Sequence, residues 1–333
     1  MLLLMMFNAV RADAETPVTL QKQPLLSATF IQLSEQNSCW ERDRWERLFD
    51  TFQTIGLRQI VLQWTLHDNR AFYATRTFDQ QPHPPLEIIL ELAEARGIEI
   101  YLGLAADSHY WEMVKQPPQQ LEEYLKRLRW RSERTAQEVA TIANEFRAFK
   151  GWYIPEEVDD LTWRPAKERA LLQQHIKQLS AYLKKLTPAG LVLVSGFSNA
   201  RMSPNSYQQF WQDLLRETSI DMLLFQDGAG TGKLPGELRP LYLQAVRDAA
   251  TANGKKLQVV IELFEMASES PFKASPATIS RVTQQLHVAA EFANGGFNSF
   301  SVPDYMSPEG GALALKLLND YHKHKGGGHL TTP

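Results

Sequence analysis

The chain has 333 residues, 44% of them hydrophobic and 10% aromatic, enough for a large core. Its net charge of −3 and pI near 6.3 offer no basic face for nucleic acid or anionic lipid. A single cysteine, Cys39, excludes an internal disulfide, and nothing near it argues for a nucleophile.

In chain order, residues 1–14 read as a secretory leader. An apolar stretch from Leu2 to Val10 precedes Ala12-Asp13-Ala14, which matches a small-x-small cleavage site. The stretch is too short to span a bilayer, and no other segment approaches that length. A periplasmic or secreted protein is expected, with the mature chain starting near Glu15 and residues 15–24 forming a linker.

Short apolar runs then alternate with helix-like stretches. The strand-like runs are 25–33, 57–66, 98–105, 150–157, 190–198, 220–227, 256–265 and 297–307. The helix-like stretches between and after them fall near 44–56, 85–97, 118–148, 166–186, 206–218, 238–254, 275–295 and 312–324. Eight β-then-α units predict a parallel sheet closed as a single-domain (β/α)8 TIM barrel over 25–322, an α/β fold. An open doubly wound sheet would be the alternative, but no strand is followed by a dinucleotide fingerprint. Residues 323–333 read as a disordered tail, whose histidines are better explained by solvation than by metal.

In such barrels the active site forms at the C-terminal ends of the strands. Those positions hold Gln32, Gln63, Trp64, His67, Asp107, His109, Tyr110, Trp111, Tyr153, Glu156, Glu157, Asp159, Ser195, Phe197, Asn199, Gln226, Asp227, Glu262, Glu265, Asp304 and Tyr305. Amides and acids bind hydroxyls, and aromatic faces stack on sugar rings, so a carbohydrate cleft is expected. Cleaving a glycosidic bond needs two carboxyl groups, one to protonate the departing oxygen and one to attack or to activate water. Glu157 in GWYIPEEVDD and Glu262 in VVIELF are the catalytic candidates, with Glu156 and Glu265 as alternatives. A glutamate inside an apolar run is costly to bury without a task or a partner. Substrate-binding candidates are Gln32, Gln63, Trp64, Tyr153, Gln226, Asp227, Asp304 and Tyr305, with Trp64 and Tyr305 as stacking platforms. Pro155 is expected to stop the strand ladder just before the acids.

Three other signals are weaker. DGAGTGK at 227–233 is one residue short of a phosphate-binding loop and carries Leu234 where a hydroxyl residue belongs, so it reads as a flexible rim loop. His67 and His109 lack tight ligand spacing with Asp68 or Asp107; neither metal nor cofactor is expected. A serine-nucleophile elbow is absent.

The chain resembles a domain-of-unknown-function family of exported bacterial (β/α)8 proteins related to glycoside hydrolases. The likeness rests on TFIQ, IVLQWT, YLGL, GWYIPEEVDD, LFQDGAG, IELFE and SVPDYMSP in that order, over roughly 25–320. It implies a glycosidase-like barrel. A more distant likeness to retaining glycosidases implies Glu157 as acid/base and Glu262 as nucleophile, although the Asn-Glu pair of that group is missing, Pro155-Glu156 standing before Glu157. The expected activity is hydrolysis of a polysaccharide or oligosaccharide. The alternative is a non-catalytic glycan-binding barrel serving polysaccharide export or biofilm assembly.

Overall fold

The computed structural model describes residues 23–326. The leader, most of the linker and the end of the tail lie outside the described residues. Eight strands form one parallel sheet: β1 (Ala28–Ile31), β2 (Gln59–Leu62), β3 (Glu99–Gly103), β4 (Phe149–Val158), β5 (Leu191–Gly196), β6 (Met222–Gln226), β7 (Lys256–Glu262) and β8 (Phe297–Phe300). Each pairs with the next in sequence, as right-handed β/α crossovers require. Eight long helices surround them: α1 (Arg42–Ile55), α2 (Leu86–Arg96), α3 (Pro118–Ala143), α4 (Ala166–Leu186), α5 (Pro204–Arg216), α6 (Arg239–Ala252), α7 (Ile279–Ala290) and α8 (Ala312–Lys325). This is the TIM barrel expected from the alternating pattern. None of the described helices is long and apolar enough to cross a membrane.

The strands are apolar on both faces because each face meets a different core. Phe30, Val61, Tyr101, Tyr153, Leu193, Leu224 and Val260, one from each of β1 to β7, fill the barrel interior. The alternate residues pack outward against the helices. Between β8 and β1 closure relies largely on hydroxyls. Ser27 N donates to Phe297 O at 2.9 Å, Ser299 Oγ to Ala28 O at 2.9 Å, and Val302 N to Thr29 Oγ1 at 2.9 Å.

β4 sets the site. Gly151 lies at φ 144°, and a Cβ there would fall 2.0 Å from Leu191 O, so this close strand approach admits only glycine. Farther on, Ile154 pairs with Val194 and Val158 with Gly196, leaving Pro155, Glu156 and Glu157 opposite Ser195 alone. Pro155 has no N–H for the ladder, and the strand bulges there and then resumes. The ladder is thus interrupted at Pro155 and not ended by it.

Other boundaries differ from expectation. β7 stops at Glu262, and an antiparallel hairpin, Phe264–Glu269 with Phe272–Pro276, follows where the strand and the next helix were expected to meet. β8 ends at Phe300, and Val302–Tyr305 turns helical. Helix α8 runs on to Lys325, so the first residues of the expected tail are helical.

Candidate active site

At the C-terminal mouth of the barrel lies a cavity of about 430 Å³. The ends of β1, β2, β4, β6 and β7 bring Gln32, Gln63, Glu157, Gln226 and Glu262 to it, and the turn after β8 adds Asp304 and Tyr305. A smaller hollow of about 110 Å³ adjoins it, lined by Gln63, Trp64, His67, Asp107, Tyr110, Trp111, Glu156 and Glu157 among others.

The bulge in β4 sends its acids to different places. Glu157 is half-buried and borders both spaces. Its Oε1 accepts from Gln226 Nε2 at 2.5 Å, and its backbone carbonyl accepts from the Tyr110 hydroxyl at 2.9 Å. Burial pushes its pKa up; the Gln226 donor and then the charge of Lys233 pull it partly back. Glu156 turns to the helix layer, where its Oε1 meets His175 Nε2 on α4 at 3.1 Å, both side chains being almost fully buried. Asp159 accepts from the amides of Leu161 and Thr162. Asp160 accepts from the amides of Asn199, Arg201 and Met202, tying the β4 loop to the β5 loop. Neither aspartate opens α4, which begins at Ala166.

Glu262 is 2% exposed and lies against the loop 227–233. Its Oε2 accepts from the amides of Gly230 at 2.5 Å and Thr231 at 2.8 Å. A Cβ at residue 230 would sit 2.3 Å from Phe264 O and 2.9 Å from Glu262 Cβ, so only glycine lets this backbone reach the carboxylate. The glycine-rich stretch is therefore a cradle for a protein carboxylate, where the sequence suggested a flexible rim loop. Burial, then the nearby negative charge of Asp227, raise the Glu262 pKa to about 7 against these amides. Asp227 is itself buried and pushed up by that burial. It accepts from Gln285 Nε2 of α7 at 2.5 Å and from Ala229 N at 3.2 Å.

Of the remaining candidates, Gln63 borders both spaces and has its Oε1 buried without a partner among the described residues. Trp64 belongs to the smaller hollow, its Nε1 donating to Leu33 O at 2.7 Å. Tyr153 lies beneath the cavity, in the barrel interior, with its hydroxyl 2.6 Å from Ser195 Oγ; it does not line either space. Asp227 braces the wall without lining the cavity. Glu265 sits on the exposed hairpin 3.4 Å from Arg281 Nε and is not brought to the carboxyl pair. Tyr305 packs on Phe264, ring centroids 5.3 Å apart. Asp68, Asp107 and His109 gather at the rim with ligand atoms within 4.8 Å of one another. Amides of Ser108 and His109 already bind the two aspartates, which accounts for that cluster without an ion.

Sequence reasoning passed over Lys233, Thr231, Phe264, Phe272 and Gln285. Lys233 lines the cavity, with its Nζ 4.8 Å from the Phe197 ring centroid and 3.3 Å from Glu269 Oε1 of the hairpin. Gln285 left a trace in the sequence, an amide on the apolar face of α7.

Comparison with known proteins agrees with this architecture. The family described as domain of unknown function DUF4434 matches residues 26–311. The uncharacterized protein YbcH of Escherichia coli (strain K12) is 30% identical over 256 residues, 73% of this chain and 78% of YbcH. A structure described as a putative alpha-L-fucosidase from Bacteroides thetaiotaomicron superposes with a TM-score of 0.74 at 18% identity, covering 96% of this chain and 99% of that one. A GH18 chitinase from Pseudoalteromonas aurantia gives 0.54 at 9% identity, covering 90% and 98%. An endo-1,4-beta-mannanase from Rhizomucor miehei gives 0.51 at 15% identity, covering 83% and 85%. At these identities the likeness speaks to the fold.

Proposed function

Since the chain belongs to the DUF4434 family, a family without an assigned function, we propose from the site itself that it is an exported glycoside hydrolase acting on a polysaccharide or oligosaccharide. The observation that carries this reading is the pair Glu157 and Glu262, brought from β4 and β7 to one cavity and held by different donors. Barrel neighbours described as glycosidases support it through the fold.

The roles follow from position. Glu157 stands where the cavity meets the smaller hollow, so a bond between groups in the two spaces lies beside it. That position makes it the proton donor to the departing oxygen; burial raises both carboxyls, so the assignment rests on place and not on titration. Glu262 has one oxygen fixed by two backbone amides, which leaves Oε1 to attack the anomeric carbon. Gln226 orients Glu157, and Gln32, Asp304 and Tyr305 are placed to hold hydroxyls.

The test is a polysaccharide panel with products sized by mass spectrometry, followed by Glu157→Gln and Glu262→Gln. Loss of general acid catalysis lowers the rate by about 10²–10⁴-fold. Azide added to Glu262→Ala is expected to yield a glycosyl azide of inverted configuration, and added to Glu157→Ala one of retained configuration. Full activity in either glutamine variant would remove the pair from the mechanism.

A further inference from the structure

The cavity and the smaller hollow share Gln63, Trp111 and Glu157, whereas Glu262 borders the cavity alone. Resting on the glycosidase reading, we propose that the hollow is a second sugar subsite. It receives one uncharged sugar ring, the leaving group of a non-anionic oligosaccharide whose reacting ring occupies the cavity.

Three observations carry this. First, the hollow, of about 110 Å³, adjoins the cavity and is walled by two indoles. Trp64 is fixed by its bond to Leu33 O and lies 4.7 Å from the His67 ring. Trp111 makes T-shaped contacts with Tyr110 and Phe197 and stays 36% exposed. Aromatic faces of this kind take the C–H face of a sugar. Second, Gln63 Oε1 is buried at the shared border without a partner among the described residues. An unmet acceptor there costs about 1–3 kcal/mol, and a sugar hydroxyl can satisfy it. Third, the charge is one-sided. Asp107 and Glu157 line the hollow, the Glu156 carboxyl being turned away to His175, with no lysine or arginine among its lining residues. Lys233, in the cavity, is already paired with Glu269. Uronate or sulfated rings would meet carboxylates without a compensating cation.

The step balances. As the C–O bond breaks, the Glu157 proton passes to the bridging oxygen, and the sugar in the hollow leaves with a new hydroxyl. Glu262 takes up the anomeric carbon as an ester. Water then cleaves that ester, returning its proton to Glu157.

The experiment compares a panel of neutral glycosyl fluorides, whose leaving group is too small to fill the hollow, with disaccharides that share the same reacting sugar. In Trp64→Leu the ratio of disaccharide to fluoride kcat/KM should fall tenfold or more. Trp111→Ala serves as a second variant, and melting temperatures check folding. An unchanged ratio in both variants, or cleavage of uronate oligosaccharides as fast as neutral ones, overturns the subsite. If the wild type releases neither fluoride nor sugar, it is the glycosidase reading that has failed. Calorimetry with neutral oligosaccharides then decides the hollow. Binding weakened tenfold by Trp64→Leu upholds it; equal affinity, or none in the wild type, overturns it.

Discussion

Gln226 Nε2 donates to Glu157 Oε1 at 2.5 Å, so the end of β6 holds the carboxyl at the tip of β4 in the barrel mouth. A donor aimed at a carboxylate favours its ionised form. The bond therefore limits how far burial can raise the Glu157 pKa; with Glu157 as the proposed proton donor, the bond also bears on the alkaline limit of activity.

Replacing Gln226 with leucine removes that restraint. The Glu157 pKa should rise, and the descending alkaline limb of kcat/KM should move to higher pH. A pH profile measured on one substrate checks this. A limb that stays put or moves down would show that Gln226 does not govern Glu157.

Glu262 behaves oppositely on the acid side. With its pKa near 7, attack by its carboxylate should lose rate as pH falls through neutrality. The neighbouring Asp227 charge holds that value up, so Asp227→Asn should lower it and extend activity to more acidic pH. Stability carries the same signature. The folded-state pKa lies above the unfolded value near 4.3, so the native state binds the extra proton between them. Stability should then fall as pH rises from about 4 to about 7, and Glu262→Gln should flatten that part of the curve. Thermal melts across this range would expose a profile unaffected by the substitution.

The Glu156–His175 pair predicts a structural loss. Both side chains are almost fully buried and meet at 3.1 Å. His175→Ala strands Glu156 in the helix layer, at a cost of about 1–3 kcal/mol for an unmet buried group. Denaturant unfolding measures it. Rescue by the double variant His175→Ala/Glu156→Ala, relative to the single one, would distinguish an unpaired acid from a simple void.

The barrel was legible because strands buried on two faces are nearly continuous in apolar residues, as in LRQIVLQWTL and KLQVVIELF. The strand-end rule then led to Glu157 and Glu262, Gln63 and Gln226, which the fold does bring to one cavity. It could not sort Tyr153 from Glu157. The two are four residues apart and face the same way, Tyr153 into the barrel interior and Glu157 into the cavity above it, so only height along the barrel separates them, and the extra residues of the bulge against β5 set that height. The hairpin after β7 was hidden because FEMASES reads as an extension of an apolar strand. Lys233 was hidden by its resemblance to a failed nucleotide motif. Its position is a matter of how the loop folds back over Glu262, and residue spacing carries no trace of that.

The bulge in β4 also makes chain length a determinant of chemistry. Between Ile154 and Val158, both anchored to β5, neighbouring residues face opposite sides. Deleting or inserting one residue there would exchange the wall-facing and solvent-facing positions. With both anchors kept, a change of one residue breaks the alternation, so the carboxyl at the cavity and the one at His175 could not both keep their places. A homologue whose spacing between the two anchors differs by one residue is expected to offer a different side chain to the cavity.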